Sequence, residues 1–144
     1  MADARFEAAL MACPDAPLRP SIAADQALVD LIRHLKSGSF RFVTPTPDTH
    51  ARVIARGDRQ QARDLRDVLG WNLPFESDLV DPAILAMLEA ANAIEHRDGV
   101  LCSLLRVSSL HDDLYIHSSF PTTAKDAVFF GPDSYRFANL IGIE

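Results

Sequence analysis

Two histidines and two aspartates near the end of the chain, His111, Asp112, Asp113 and His117, are of the types that bind metal ions. Imidazole nitrogens and carboxylate oxygens are common ligands of divalent transition metals. His111 lies on a predicted turn and His117 on the strand that follows, so convergence on one ion requires a bend between them. A polar β-turn explains the His-Asp-Asp sequence without a metal. We therefore predict no metal site in this chain.

His117 is followed by Ser118 and Ser119, which raises the question of a serine nucleophile with a histidine base. Adjacent strand residues point to opposite faces of a sheet, so His117 is poorly placed to activate Ser118. The chain also contains no G-x-S-x-G sequence of the kind found in α/β-hydrolases. We interpret His117 as a partly buried histidine with a hydrogen-bonded ring, and we predict no catalytic residue.

Arginines recur every three or four positions in the first half of the chain. They are Arg52, Arg56, Arg59, Arg63 and Arg66. On one continuous helix they would form a basic stripe, but Gly57-Asp58 is predicted to interrupt it. A solvated face with i,i+4 pairs of the Arg63–Asp67 type explains the pattern. Contact of Arg59, Arg63 and Arg66 with an RNA backbone is the alternative.

Recognition of a DNA sequence is excluded by charge. The third predicted helix of the central region, which starts at Asp81-Pro82, contains no arginine or lysine. The whole chain carries 14 basic and 20 acidic residues, for a net charge of −6. A helix that reads the major groove needs basic and amide side chains. We predict neither sequence-specific DNA binding nor general binding of polyanions.

The last stretch, from Asp126 to Glu144, combines a strand-like run that ends at Phe130 with a Gly131-Pro132 break and the start of a helix. Glycine permits the turn, and proline is favoured in a first helical turn because its missing N–H would be unpaired there. One face of this helix is apolar and consists of Phe137, Leu140 and Ile141.

The sequence F-F-G-P-D-S-Y-R-F, with H-S-S-F-P-T-T upstream, resembles the segment before the cofactor domain in a group of bacterial class I S-adenosylmethionine (SAM) methyltransferases. It is also distantly similar to the P-x-x-T-E-x-L segment before the first glycine motif of HemK-like glutamine methyltransferases. The similarity extends back to about Phe42, through F-V-T-P-T-P-D-T-H-A-R-V and R-D-L-R-D-V-L-G-W-N-L-P-F. The motif positions fall on Pro132, Ser134, Tyr135 and Phe137.

This resemblance implies that the chain is the N-terminal substrate-recognition or accessory domain of a SAM-dependent N-methyltransferase and is not catalytic by itself. The G-x-G-x-G-type loop and the N-P-P-Y motif of such enzymes are missing, so we expect a truncated protein whose catalytic domain lies beyond residue 144. SAM is the expected cofactor of the parent enzyme, with none bound by this chain. The residues implied to border the cofactor pocket of the following domain are Phe130, Gly131, Pro132, Asp133, Ser134 and Tyr135.

Other interpretations remain open at the level of sequence. The Gly131–Phe137 stretch is equally explained as a helix that docks on its own domain and closes it. The chain as a whole could be a stand-alone winged-helix module that binds a protein partner or dimerises through its apolar third helix. An RNA-binding adaptor is a further alternative. The expected partners are the downstream methyltransferase domain and a protein or RNA substrate.

Hydrophobic periodicity and turn signals predict an α+β fold, mainly helical and winged-helix-like, with three helices followed by a hairpin. Helices are expected at 4–12, 21–37, 47–56, 60–69 and 81–92, and a helix is expected to begin at Pro132. Strands are expected at 94–97, 100–109 and 114–120. The predicted regions are an N-terminal helical extension (1–41), a winged-helix-like domain (42–120) and a linker with the start of a missing domain (121–144).

Composition is consistent with one domain that has a hydrophobic core, since 48% of the 144 residues are hydrophobic. No run of 18 apolar residues is present, so no membrane span is predicted. Asp3 and Glu7 are acidic where a signal peptide would be basic, so a cytoplasmic location is expected. The two cysteines, Cys13 and Cys102, match no metal spacing and are interpreted as reduced thiols.

Overall fold

The computed structural model describes residues 21–122, 125 and 127–142. Within these residues the helices are α1 (Ile22–Ser37), α2 (Pro47–Ile54), α3 (Leu65–Leu69), α4 (Pro82–Ala90) and α5 (Pro132–Leu140). The strands are β1 (Ile94–Arg97), β2 (Val100–Ser103), β3 (Leu105–Leu110) and β4 (Asp113–Ser118). The predicted α+β class is confirmed. The helix predicted at residues 4–12 lies outside the described residues.

Side-chain caps determine where three of the helices begin. The hydroxyl of Ser21 accepts a 3.0 Å hydrogen bond from the amide of Ala24 at the start of α1. Thr46 caps α2 in the same way, and the Asp81 carboxylate accepts a 2.8 Å hydrogen bond from Ala83 at the start of α4. Each cap satisfies an amide that has no partner within the helix. The predicted starts of these three helices are therefore confirmed.

Helix α3 is shorter than the helix predicted at residues 60–69. It begins only after Asp64, whose carboxylate accepts a 2.9 Å hydrogen bond from the Asp67 amide. Upstream, the Ala62 amide donates to the carbonyl of Pro74, and the Arg63 amide donates to the side chain of Asp67. These amides are used in tertiary contacts and in capping, so the helix cannot extend toward residue 60.

The core lies between the helices and the two hairpins. Leu31 and Leu35 of α1 belong to one buried cluster together with Ile84 and Leu88 of α4. Helix α1 packs directly against α4. The helix predicted as part of an N-terminal extension thus contributes to the same core as the central region.

The strands form two separate antiparallel hairpins, β1–β2 and β3–β4. The predicted turn at Asp98-Gly99 is confirmed, with Arg97 paired to Val100 on either side of it. The strand predicted at 100–109 is divided at Leu104. The Ser103 hydroxyl donates to the carbonyl of Leu105 at 2.8 Å, and the Leu104 amide donates to the carbonyl of Ala93. These hydrogen bonds end the pairing of β1 with β2 before β3 pairs with β4.

The interpretation of the cysteines as reduced thiols is wrong for Cys102. This residue, on β2, is disulfide-bonded. Cys13 lies outside the described residues. Spacing along the chain can identify a metal motif but carries no information on a disulfide between distant positions.

Across the described ranges, the helices are all too short or too polar to span a lipid bilayer. The longest of them, α1, has 16 residues.

Candidate functional site

The β3–β4 hairpin carries a row of polar side chains on the face opposite the core. The antiparallel register places Arg106 opposite His117 and Ser108 opposite Tyr115. Residues two apart on a strand share a face, so these four side chains lie together. Val107, between Arg106 and Ser108, belongs to the hydrophobic core. The hairpin therefore separates an apolar layer from a polar one.

Ser108 and His117 are joined by a 2.6 Å hydrogen bond between the serine Oγ and the histidine Nε2. The hydroxyl of Thr44, from the segment before α2, hydrogen-bonds to Ser108 Oγ and lies 3.5 Å from His117 Nε2. All three residues are buried. Burial lowers the pKa of His117 to about 3, and the charge of Arg106 acts in the same direction. The imidazole is therefore neutral at pH 7. We refer to Thr44, Arg106, Ser108 and His117 as the polar layer.

A hydrogen-bonded serine and histidine can act as nucleophile and base, but here the geometry favours a structural role. Neither Ser108 nor His117 is accessible to a substrate, since His117 is only 4% exposed and Ser108 is fully buried. Nδ1 of His117 has no hydrogen-bond partner among the described residues, so the carboxylate that orients the base in a triad is not found there. The predicted hydrogen-bonded ring of His117 is confirmed, and the residue is more deeply buried than the predicted partly buried state. Its partner is Ser108 across the hairpin, which the sequence alone did not indicate.

Arg106 is the largest of the fully buried side chains, with 1% exposure. Its Nε donates to the carbonyl of Ser118 at 3.0 Å, and one terminal nitrogen donates to the Thr122 hydroxyl at 3.1 Å. No carboxylate among the described residues forms an ion pair with it. Burial lowers the pKa of Arg106 to about 10. The guanidinium therefore remains charged at pH 7 and is held by neutral acceptors.

His50, for which the sequence suggested no role, is buried close to the polar layer. Its Nε2 donates a 2.9 Å hydrogen bond to the carbonyl of Trp71. Its ring stacks on Phe120, with 3.9 Å between ring centroids. Burial, followed by the charge of Arg106, lowers the pKa of His50 to about 4. Two neutral histidines thus lie within the electrostatic influence of one buried arginine.

Residues 127–135, the docked segment, cover the polar layer from the C-terminal side. The Phe130 ring stacks on Tyr115 at 5.1 Å between centroids and meets the Tyr135 ring edge-on at 5.0 Å. The Tyr135 hydroxyl donates a 3.0 Å hydrogen bond to the carbonyl of Ser109. Burial raises the pKa of that phenol. The docking interpretation of this stretch agrees with these contacts.

The six residues implied to border a cofactor pocket are divided between two environments. Phe130 and Tyr135 contact the hairpin, as described above. Gly131 donates its amide to the Ser134 hydroxyl at 3.3 Å, which completes the first turn of α5 after Pro132. Asp133 is exposed and lies 3.8 Å from Arg136. Of the six, Asp133 is the residue presented most openly to solvent.

Helix α5 presents an apolar face to solvent. Phe137 is 62% exposed, Leu140 is 83% exposed and Ile141, just after the helix, is 51% exposed. Ala138, on the opposite side, is buried. The docked segment thus fixes the start of α5, while the apolar residues predicted to share one face have no cover among the described residues.

The predicted RNA-contacting arginines do not form one surface. Arg59 is 13% exposed by side chain, pairs with Asp67 at 2.7 Å and lies 5.7 Å from the centroid of the Trp71 ring. Arg63 is exposed and forms the predicted i,i+4 pair with Asp67 at 3.5 Å. Burial raises the pKa of the Asp67 carboxyl, opposed by the Arg63 amide hydrogen bond. Arg66 is exposed and pairs with none of the described residues. Arg59 therefore stabilises the fold, and Arg63 and Arg66 are accessible.

The residues considered as metal ligands are also divided. Arg41 donates to the carbonyl of His111 and pairs with Asp112 at 3.2 Å. Asp113 pairs with Lys36 at 3.0 Å, while His117 belongs to the polar layer. Among the described residues, no group of three or more potential ligands is close enough to hold a metal ion. The two aspartates of this turn therefore form salt bridges, one to α1 and one to the extended segment before α2.

Comparisons of the chain with models of protein families, with curated proteins and with solved structures give no match.

Proposed function

We propose that this chain is the N-terminal substrate-recognition or accessory domain of a SAM-dependent N-methyltransferase and is not catalytic by itself. The observation that supports the proposal is the apolar face of α5. Tyr135 anchors the first turn of this helix to the hairpin, while Phe137, Leu140 and Ile141 remain exposed. Apolar side chains clustered on an exposed face are typical of a surface that contacts another domain. The methyltransferase domain is the proposed occupant.

The proposal includes a winged-helix-like body at residues 42–120. Its support is the order of elements, in which α2, α3 and α4 precede the hairpins. It assigns no catalytic role to the polar layer, because the Ser108–His117 pair is closed to solvent. SAM would bind to the following domain. Asp133, in the first turn of α5, is exposed and so would be accessible to that domain.

The experiment that tests the proposal is calorimetric titration of SAM into the 144-residue chain and into the full product of its gene. We expect no heat of binding from the 144-residue chain and saturable binding by the longer protein. Saturable binding of SAM by the 144-residue chain alone would contradict the proposal, because a cofactor site would then lie within these residues.

The proposed interface can be tested in the longer protein with Phe137→Asp and Leu140→Asp. Buried carboxylates are costly, so we expect the two domains to separate, which small-angle scattering would detect as an increase in the radius of gyration. Ile22→Asp is the matched control, since Ile22 is 91% exposed at the start of α1. An unchanged radius in both α5 variants would exclude this face as the interface.

The same exposed face favours a second candidate, a stand-alone module that dimerises. Such an interface would use α5 and not the third helix considered from the sequence, because Ile84 and Leu88 of α4 are buried within the chain. Light scattering separates the two candidates. A monomer at all concentrations supports the accessory domain, whereas a dimer that Leu140→Asp dissociates supports the dimerisation module.

A cytoplasmic location is also proposed, on the basis of the acidic residues at the N-terminus. The disulfide at Cys102 is atypical of that compartment. Fractionation of cells, with the protein detected by an antibody, tests the proposal. Recovery of the protein in the cytoplasmic fraction would support it, and recovery outside the cytoplasm would contradict it.

A further inference from the structure

A cleft of about 400 Å³ lies between the C-terminal end of α1, the start of α3 and α4. Its apolar walls are formed by Leu35, Phe40, Leu65 and Ile84. The other residues that line it are His34, Ser37, Gly38, Asp64 and Arg66. Small-molecule sites typically enclose about 300–1,000 Å³ and have mainly apolar walls with a few polar groups. No residue of the polar layer or of the docked segment lines this cleft. It is therefore separate from the surface discussed above.

Most polar groups at the rim of the cleft are already used within the fold. The Ser37 hydroxyl donates a 2.7 Å hydrogen bond to the carbonyl of His34. The Asp64 carboxylate caps α3 by accepting a hydrogen bond from the Asp67 amide. Two rim groups differ: the exposed guanidinium of Arg66 forms no ion pair with any described residue, and the His34 imidazole forms no hydrogen bond with one. One cationic group at the rim is thus available to a ligand.

We propose that this cleft binds a small molecule with an apolar body and a single anionic head group, and that Arg66 binds the head group. The apolar walls suit the body of such a ligand. A guanidinium binds carboxylates and phosphates with two parallel hydrogen bonds, which gives both affinity and orientation. The Asp64 carboxylate lies at the same rim, and its negative charge disfavours ligands with several anionic groups, such as RNA.

The test uses two probes that differ only in the head group, 4-phenylbutyrate and 4-phenylbutan-1-ol. Each is titrated into the 144-residue chain labelled with ¹⁵N, with amide shifts followed by NMR. We expect shifts at the amides of Leu35, Phe40, Leu65 and Ile84 with both probes. Affinity for the carboxylate should be about tenfold higher, which corresponds to about 1.4 kcal/mol, because a hydrogen bond to a charged group is stronger than one to a hydroxyl and solvent screens this exposed guanidinium.

Arg66→Gln removes the charge and retains much of the side chain. It should lower the affinity for 4-phenylbutyrate by about tenfold and leave the affinity for the alcohol unchanged. Arg52→Gln, an exposed arginine on α2 that does not line the cleft, is the matched control and should affect neither probe. Leu65 is half-buried in the wall of the cleft, so the larger side chain of Leu65→Trp should narrow the cleft and weaken the binding of both probes.

Several outcomes would overturn the inference. If neither probe shifts the amides of the cleft in the unmodified chain, the cleft is not a ligand site. Equal affinity for the acid and the alcohol would exclude recognition of an anion. An equal loss of carboxylate affinity in Arg66→Gln and Arg52→Gln would show a general effect of net charge in place of a specific contact.

Discussion

The Tyr135 hydroxyl donates a 3.0 Å hydrogen bond to the carbonyl oxygen of Ser109 and so joins α5 to β3. The Tyr135 hydroxyl oxygen also accepts a 3.4 Å hydrogen bond from the amide of Thr44. Ser109 in turn hydrogen-bonds to the backbone of Phe42, through both its amide and its hydroxyl. A single phenol therefore connects three segments that are distant in sequence and holds the docked segment over the polar layer.

Replacement of Tyr135 by phenylalanine should loosen α5 without unfolding the core. The variant keeps the ring contact with Phe130 and loses both hydrogen bonds, at a cost of about 1–2 kcal/mol. Hydrogen exchange should accelerate at the amides of α5 and remain unchanged in α1. Tyr115→Phe is the control, because the Tyr115 hydroxyl has no hydrogen bond to a described residue. Equal acceleration in both variants would refute the specific role of Tyr135.

Stability should fall as the pH decreases from about 6.5 toward 4. Unfolded histidine takes up its proton near pH 6.5, whereas the folded chain keeps His50 neutral to about pH 4 and His117 to about pH 3. Stability from the neutral rings is fully present above pH 6.5 and is lost as the pH falls through this window. Each histidine contributes a slope of about 1.4 kcal/mol per pH unit. Urea unfolding at a series of pH values would measure how the free energy of unfolding changes with pH.

The contribution of one histidine to this slope can be isolated with His117→Gln, whose amide retains a hydrogen-bonding group beside Ser108 and does not titrate. The slope between pH 6 and 4.5 should decrease by about 1.4 kcal/mol per pH unit relative to the unmodified chain. His96→Gln, at an exposed position on β1, should leave the slope as it is. A slope that does not change in His117→Gln would mean that His117 titrates normally in the folded chain.

Local signals in the sequence were sufficient to predict most of the helix starts. Ser21, Thr46 and Asp81 are residues whose side chains cap helices, and each does so in the structure. Caps depend on neighbours within a few residues, so a linear sequence contains the necessary information. The predicted start of α3 at residue 60 was wrong because it depends on a long-range contact and not on local neighbours. Ala62 donates to Pro74, a contact formed only when distant parts of the core come together.

The candidate site was predicted only in part for the same reason. The sequence predicts a partly buried His117 with a hydrogen-bonded ring, but the identity of its partner, Ser108, depends on the register of β3 against β4. That register is set by the turn at His111, whose backbone has a positive φ of 53°. Burial of Arg106 could not be predicted, because an arginine between apolar residues usually marks an exposed strand face. The sequence pattern that indicates this polar face is the alternation of Arg106 and Ser108 on one strand, matched by Tyr115 and His117 on the other.

Arg59 and Arg66 should respond differently to substitution, although the sequence placed them in one stripe. Arg59→Ala removes the 2.7 Å partner of a buried carboxylate at Asp67 and should cost about 1–3 kcal/mol. Arg66→Ala removes an exposed side chain and should change the free energy of unfolding by less than about 0.5 kcal/mol. Chemical denaturation measures both. Similar costs for the two variants would contradict the assignment of Arg59 to the fold.

Gly70 should be intolerant of even the smallest side chain, because a Cβ at this position would overlap the ring of Phe42. Its backbone is in the right-handed helical region, with φ of −106°, so the cost is steric and involves no conformational strain. Phe42 is buried and also packs edge-on against Trp71, so it cannot easily move away. We expect Gly70→Ala to destabilise the chain by about 1–3 kcal/mol in thermal or urea unfolding.

Two further variants distinguish this steric explanation from a general effect of replacing glycine. A Cβ at Gly57 would have no atom within 4 Å, so Gly57→Ala should be neutral or stabilising by up to about 1 kcal/mol. Phe42→Leu removes the ring that the new methyl group would meet. In a double-mutant cycle, Gly70→Ala should therefore cost about 0.5–3 kcal/mol less in the Phe42→Leu background, which is the usual range of coupling between contacting residues. Additive costs would place the origin of the destabilisation elsewhere than in the contact between Gly70 and Phe42.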